Sequence, residues 1–186
     1  MAIDGEAVRG VESGAESLQG AEPVSERILV LGIGNVLMKD EGVGCRIIEE
    51  ILERYEFPEN VHVQDSGTMG MMMLHMLMQY DFVLVVDAMD GTGHPPGTVL
   101  RLAPEDIAPN AVMHSLHDLR FIDVLSSADL LGRRPKGECI GVQVEDMEPV
   151  ELTIGLSPAV EDAVGTAIDA VLTVLVERGI RTTRRV

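Results

Sequence analysis

The stretch that decides the fold reads Arg27-Ile28-Leu29-Val30-Leu31-Gly32-Ile33-Gly34-Asn35-Val36-Leu37-Met38-Lys39-Asp40-Glu41-Gly42-Val43-Gly44. Its short apolar run predicts a buried strand that ends at two glycines, and after a polar loop two acids open a helix. Apolar residues at helical spacing predict that helix, with charged residues on its opposite face. The apolar stripe comprises Val43, Ile47, Ile48, Ile51, Leu52 and Tyr55, and the charged face comprises Glu49, Glu50, Glu53 and Arg54. The stretch therefore predicts the first strand–turn–helix unit of an α/β sheet.

Composition narrows the class of protein. A chain of 186 residues fits one domain with a substantial core, which aliphatic side chains and the 11 Met must fill because there are only three Phe, two Tyr and no Trp. The formal charge of −17 argues against nucleic acid and anionic membranes as partners. Cys45 and Cys139 fit no spacing motif, which favours a reduced, cytoplasmic setting. The sequence contains no apolar run of about 18 residues and therefore predicts no transmembrane helix.

The rest of the chain alternates strand and helix patterns. Residues 1–26 predict a disordered acidic tail, and residues 27–186 predict one α/β domain. We predict further strands at residues 61–65, 82–86, 98–102 and 139–144, and helices at residues 69–80, at 115–130 and from Ser157-Pro158 onward. These elements predict a three-layer α/β/α sandwich with a twisted, mostly parallel sheet of about five strands.

The glycine turn raises the question of a dinucleotide site. That fingerprint needs three glycines, but Leu37 occupies the place of the third after Gly32 and Gly34. Asp40 and Glu41 at the helix start would also repel a phosphate and suit a metal cation instead. The nucleotide alternative stays open only through Asp65, which could mimic a ribose-binding acid.

Ligands of such sheets collect at the carboxyl ends of the strands. The acids and imidazoles predicted there are Asp40, Glu41, Asp65, Asp87, Asp90, His114 and His117. Carboxylates and imidazole converging on one rim suit a divalent transition metal with open coordination positions. Each residue alone also has an ordinary structural interpretation, since acids at helix starts interact with the helix dipole and Asp commonly caps turns.

Three other features have competing interpretations. Asp65-Ser66-Gly67-Thr68 matches the aspartic-protease signature, but one copy in an α/β context does not supply the two carboxylates that share a proton. The Met-rich run at residues 69–78 fits a core or partner-facing helix better than a soft-metal site. Cys45 fits a small apolar residue inside the first helix, and nothing nearby marks it as a nucleophile.

The separated motifs resemble the endopeptidases that mature [NiFe]-hydrogenases. The most specific match is Gly32-Ile33-Gly34-Asn35 with Asp40-Glu41-Gly42-Val43-Gly44. Further matches are Asp65-Ser66-Gly67-Thr68-Met69-Gly70, Val85-Val86-Asp87-Ala88, Pro96-Gly97-Thr98, Ser115-Leu116-His117-Asp118-Leu119 with Asp123-Val124-Leu125, and Gly155-Leu156-Ser157-Pro158. Ser66 departs mildly from the family pattern, which more often has Gly there, and the acidic tail is additional.

The resemblance implies a specific activity. Such enzymes remove a C-terminal extension from the hydrogenase large-subunit precursor once nickel has been inserted, and the nickel belongs to the substrate. The metal-contacting residues carry over as Glu41, Asp87 and His117, with His117 favoured over His114 by the sequence that follows it. The acid that helps to read the substrate falls on Asp65, which completes a catalytic set of Glu41, Asp65, Asp87 and His117. No organic cofactor is expected.

Three alternatives remain open at the level of sequence. A nickel-binding maturation chaperone would use the same ligands without cleaving its client. A nucleotide-dependent enzyme would bind adenine cofactors and ignore nickel. A self-contained zinc peptidase would hold its metal without substrate, although a carboxylate-rich ligand set makes this less favourable than a His-rich one.

Overall fold

The structure is a computed structural model that describes residues 26–68, 72–103, 121–145, 147 and 149–185. It confirms the predicted three-layer sandwich with a five-stranded, mostly parallel sheet. The strands are β1 Ile28–Ile33, β2 Tyr55–Glu56, β3 Val61–Gly67, β4 Phe82–Met89, β5 Val99–Leu102, β6 Lys136–Gln143 and β7 Thr183–Arg184. The helices are α1 Val43–Arg54, α2 Met72–Leu77, α3 Phe121–Leu130 and α4 Pro158–Glu177, and a 3-10 turn spans Lys39–Gly42.

The main sheet has the strand order β3-β1-β4-β6-β5. Its first four strands are parallel, and β5 pairs antiparallel with β6 at the edge predicted for it. The chain leaves β1 for β3 on one side and later returns to β4 on the other side. Sheets that change direction in this way form a crevice at the carboxyl ends of the two diverging strands. The loop after β1 and the ends of β3 and β4 therefore border one crevice.

Both faces of the sheet are covered, which gives two apolar cores. On one face α1 and α4 pack against β1, β4 and β6, and on the other face Met73 and Leu77 of α2 and Val124 of α3 do so. Every residue of β4 is buried, in agreement with its continuous apolar sequence. The prediction that this strand ends before Asp87 is wrong. β4 continues to Met89 because β6 supplies partners as far as Gln143, so Asp87 lies within the strand.

The amphipathic pattern of α1 is confirmed for Val43, Ile47, Ile48 and Ile51, which have no exposed surface. Two predicted positions differ from the structure. Leu52 is 40% exposed, and Glu50, predicted on the solvent face, is buried. Glu50 tolerates burial because Arg46 and Arg54, one helical turn away on either side, both form ion pairs with it.

Further predicted elements agree with the structure except at their ends. The helix predicted at 69–80 is described as α2, and its predicted start at 69–71 lies outside the described residues. The helix predicted at 115–130 is described from Phe121 onward, and residues 115–120 likewise lie outside. The small antiparallel sheet of β2 and β7 was not predicted, because two-residue strands carry no periodic signal.

Arg178, which follows α4, makes an ion pair and a cation–π contact at the amino ends of the strands. Its guanidinium donates to the carboxylate of Glu26 at 2.9 Å and lies over the ring of Phe82, 3.2 Å from the ring centroid. The tail predicted for residues 1–26 is otherwise outside the described residues and stays a prediction. Among the described helices, none combines the length and the apolar character that crossing a membrane requires.

A close glycine contact joins α1 to β1. A Cβ atom on Gly32 would lie only 2.7 Å from the carbonyl oxygen of Gly44, and one on Gly44 would overlap the carbonyl oxygens of Ile33 and Val86. The first turn of α1 thus rests directly on the backbone of β1 and β4. This contact fixes where the helix, and the acids just before it, stand at the carboxyl edge of the sheet.

We expect Gly44→Ala to destabilise the protein by about 3 kcal/mol or more, because the added methyl meets backbone atoms that cannot rotate away. Gly165→Ala in α4 is the matched control. No atom lies within 4 Å of a Cβ at Gly165, so the change should stabilise the protein by about 0.5–1 kcal/mol through helix propensity. Urea unfolding of both variants measures the difference, and a Gly44→Ala protein as stable as the parent would contradict the packing argument.

Candidate active site

The loop after β1 places two adjacent acids in different environments. Gly34 has a positive φ of 146°, which an L side chain rarely adopts, and it turns the chain out of the strand. The amide of Asn35 donates to the carbonyl of Glu41 at 3.3 Å, which closes the loop onto the 3-10 turn. Asp40 and Glu41 lie in this turn with 0% and 1% of their surface exposed.

Asp40 has a structural role. Its carboxylate accepts hydrogen bonds from the amide and the hydroxyl of Ser157, at 2.6 and 2.8 Å, and from the amide of Glu145 at 3.1 Å. These bonds hold the loop after β6 and the start of α4 against the 3-10 turn. The expectation that Asp40 stands at the rim as a ligand is therefore wrong, because its oxygens are committed to these donors. Ser157 does start α4 as predicted, but its hydroxyl bonds Asp40 and not its own helix.

Glu41 and Asp87 form the buried acidic pair of the site. Asp87 is 4% exposed, and one of its oxygens accepts a hydrogen bond from the amide of Ala88 at 2.8 Å. Burial raises the pKa of Asp87 to about 8, and the negative charge of Glu41 acts in the same direction. Burial and mutual repulsion both disfavour the charged forms of these two carboxylates. A bound cation would offset both effects, so the pair is a suitable cation site.

Asp65 belongs to the other side of the sheet. It pairs with Gly32, on the face covered by α1, whereas Asp87 shares its face with Val83 and Val85, which pack towards α2 and α3. One oxygen of Asp65 accepts the amide of Gly67 at 2.7 Å. Since Asp65 and Asp87 point to opposite faces, they do not form the proton-sharing pair of an aspartic protease. Asp65 also lies within β3, which continues to Gly67 beyond its predicted end.

Cys45 is a site residue whose position the sequence analysis missed. Its thiol donates to the carbonyl of Gly34 at 3.4 Å, and it lines the same groove as Asp65. Burial, together with Asp65 and Asp87, raises the pKa of the Cys45 thiol, so it stays protonated and is no nucleophile. The available signal was its spacing: Cys45 follows Glu41 by four residues, which places both near one side of the helix start.

Asp90 and Gln143 organise the loop that follows β4. The predicted irregular loop at 91–97 is confirmed, and Asp90 accepts the amide of Gly91 at 2.6 Å. The buried amide of Gln143 donates to Asp90 at 3.4 Å and accepts from both the amide and the hydroxyl of Thr92. Asp90 therefore holds its own loop, and Gln143 carried no sequence signal because amides occur widely in loops and strands.

The imidazoles predicted for the site, His114 and His117, lie outside the described residues. Within the residues that the structure does describe, no three His, Cys, Asp or Glu side chains come close enough together to hold a metal. The predicted roles of Glu41, Asp87 and His117 as metal ligands therefore stay predictions. Of the Met-rich run, Met73 is buried in the core below α2, as its core interpretation predicts.

The comparison with protein families identifies the kind of site. A family model described as hydrogenase maturation protease matches residues 45–174. The chain belongs to the hydrogenase maturation protease family. Asp65, Asp87 and His117 lie inside the matched range, and Glu41 precedes it by four residues. Members of this family are endopeptidases, so the chain is a hydrolase of peptide bonds.

Individual members of the family are similar to this chain along most of its length. The hydrogenase expression/formation protein HupD of Bradyrhizobium diazoefficiens is 44% identical over 163 residues, which covers 86% of this chain and 83% of that protein. The hydrogenase 2 maturation protease of Escherichia coli is 38% identical over 157 residues, covering 83% and 93%. The solved structure of the hydrogenase-maturating endopeptidase HybD from E. coli superposes with a TM-score of 0.76 at 37% identity, covering 86% and 98%.

We expect Asp87→Asn to change how the stability of the metal-free protease depends on pH. The folded chain holds the Asp87 proton up to about pH 8, whereas the unfolded chain releases it near pH 3.8. Between these values the folded state binds more protons, so the free energy of unfolding of the parent falls as pH rises, by about 1.4 kcal/mol per pH unit from this group. Urea unfolding between pH 5 and 8 should show this loss in the parent and in Asp169→Asn, an exposed control on α4, but not in Asp87→Asn.

We expect Asp40→Asn to destabilise the protease by about 2–4 kcal/mol. The amide keeps the shape of the side chain, but its NH2 group must face one of the three donors that now point at the carboxylate. Asp162→Asn on the exposed surface of α4 is the control, and it should change the free energy of unfolding by less than about 0.5 kcal/mol. Equal effects of the two substitutions would contradict a structural role for Asp40.

Proposed function

We propose that this protease removes the C-terminal extension of a [NiFe]-hydrogenase large-subunit precursor after nickel insertion. The observation that carries the proposal is the buried pair of Glu41 and Asp87 at the crevice of a sheet that belongs to this family. A buried acidic pair suits a cation, and in this proposal the cation arrives with the substrate. The protease then acts only on precursors that have been loaded.

Glu41 and Asp87 provide two oxygen ligands for the substrate's nickel, and His117 provides a nitrogen. His117 precedes α3 by four residues, and α3 packs on the face of the sheet towards which Asp87 points. The resemblance within the family assigns the same three residues. Asp65, on the other side of β1, is available to contact the peptide and not the metal.

The main contribution of these residues to the reaction is positioning. Hydrolysis adds water to one peptide bond: the water oxygen joins the carbonyl carbon, the C–N bond breaks, and the amine leaves with a proton. The described part of the site contains no activated nucleophile, since the thiol of Cys45 is protonated. Holding nickel by fixed side chains holds the adjacent peptide bond as well, and correct positioning can supply about 7 kcal/mol of the barrier reduction.

The setting of the reaction follows from the same residues. Cys45 and Cys139 are both buried and free, which fits the reducing conditions of the cytoplasm. We place the reaction there. The partner is the large-subunit precursor, and neither nucleic acid nor an organic cofactor takes part.

We expect Glu41→Gln to lower kcat/KM for processing of nickel-loaded precursor by about 100-fold or more, equivalent to roughly 3 kcal/mol of lost transition-state stabilisation. Intact-mass analysis of the precursor over time measures this, with nickel-free precursor in parallel. Glu53→Gln, an exposed change on α1, is the control.

The outcomes separate the proposal from its alternatives. Mass loss only from nickel-loaded precursor supports both the cleavage and the recognition of nickel. A parent protein that binds loaded precursor without changing its mass would establish the chaperone alternative. Cleavage of nickel-free precursor at the same rate would retain the peptidase and remove nickel as its signal.

A further inference from the structure

An apolar segment stands exposed beside the active site. We call residues 150–154 the apolar lip. Val150 is fully exposed, Leu152 is 73% exposed and Ile154 is 80% exposed. Leu152 and Ile154 flank Thr153, which forms a β-bridge, so their side chains share one side of the chain, whereas Val150 lies in the bend just before. Large apolar side chains grouped in this way on an acidic protein mark a surface that another molecule covers.

The apolar lip is fixed to the loop that carries Glu41. Thr153 forms a parallel bridge with Met38: its amide donates to the carbonyl of Leu37 at 2.9 Å, and its carbonyl accepts the amide of Lys39 at 2.7 Å. The hydrogen bonds from Ser157 to Asp40 hold the same segment a few residues further on. Hydrogen bonds therefore hold the lip in a fixed position at the rim of the active site.

One edge of the apolar lip is open for backbone pairing. Thr153 directs both of its backbone groups towards Met38, and in extended chain the groups of Leu152 and Ile154 point the opposite way. Neither residue makes a backbone hydrogen bond to another described residue. An open edge of this kind is a template for an added strand.

A groove continues from the apolar lip along α1. It has a volume of about 570 Å³, and Val36, Ile154 and Leu156 are among the residues that line it. Cys45, Glu49 and Leu52 of α1 also line it, together with Gly42 just before the helix and Asp65 of β3. The groove thus connects the apolar lip to Asp65.

We propose that an extended segment of the substrate precursor pairs its backbone with the open edge of the apolar lip and lays its side chains against Ile154 and into the groove. This inference rests on the function proposed above and names how that substrate is held. Backbone pairing binds an extended chain whatever its sequence, and alternating side chains add contacts. A peptide bond presented for cleavage next to Glu41 has to be extended and accessible, which is the conformation that the lip would impose.

Charge favours the precursor over a second copy of this chain as the occupant. Each copy carries a formal charge of −17, so two copies repel each other. The apolar lip itself has only one acid, Glu151, and the groove beside it is lined by two cations, Lys39 and Arg46, and by two acids, Glu49 and Asp65. Because these charges cancel, the surface suits a neutral, apolar segment.

Substitutions of Ile154 test the proposal kinetically. We expect Ile154→Asp and Ile154→Lys each to raise KM for nickel-loaded precursor about tenfold or more and to leave kcat within about twofold, because the residue binds substrate without touching the reacting bond. Both variants should fold, since the side chain is exposed. Val176→Asp is the matched control: Val176 is 63% exposed and lies near the far end of α4, roughly 27 Å from its first residue.

A photo-crosslinking residue identifies the occupant. With benzoylphenylalanine in place of Leu152, we expect crosslinks to the C-terminal region of the nickel-loaded precursor, mapped by mass spectrometry, and none from the same residue at position 176. Crosslinks mainly between copies of this chain, with a dimer that Ile154→Asp dissolves, would overturn the proposal in favour of self-association.

The kinetic outcomes keep the two proposals apart. If the parent processes precursor and both Ile154 variants have the same KM as the parent, the apolar lip does not bind substrate. The proposed function then still stands. If only one sign of charge raises KM, the contact is electrostatic and the apolar pairing is wrong. If the parent changes the mass of no precursor, the proposed function itself fails, independently of the lip.

Discussion

The contact between α1 and β1 at Gly32 and Gly44 is the constraint on which the site depends. Because neither residue has a side chain, the first turn of the helix rests on the strand backbone at the carboxyl edge of the sheet. That placement leaves room for only a short loop between strand and helix. The short loop in turn buries Asp40 and Glu41 and brings Cys45 against Gly34 and Asp65. A larger residue at either position would move all of these groups together.

The sequence predicted the parts of the fold that follow from local patterns. Apolar runs predicted β1, β4 and β6, and helical spacing predicted α1 and α4, because burial of one face requires that spacing. The ends of elements were less accurate, since β3 and β4 continue where neighbouring strands offer hydrogen-bond partners. Pairing partners lie far apart in sequence, so no local pattern contains that information.

In the candidate site too, the sequence predicted some residues correctly and missed or misassigned others. Glu41 and Asp87 were predicted, and their burial and interaction agree with a shared role. Asp40 was grouped with them although it bonds Ser157, because adjacent acids look alike in sequence. In a 3-10 turn, successive side chains are about 120° apart, so neighbours face different surroundings. Cys45 and Gln143 were missed because their roles depend on Asp65 and Thr92, which only the folded chain brings to them.

The contacts of Arg178 have a consequence for how the molecule responds to salt. Arg178 lies over Phe82, at the start of β4, and Asp87 is five residues further along the same strand, about 16 Å away. This distance is twice the Debye length of about 8 Å at physiological ionic strength. Salt screens exposed charges over this length, but it acts only weakly on buried groups such as Asp87 and Glu41. Ionic strength can loosen the partly exposed pair of Arg178 and Glu26 while the buried acids keep their local field.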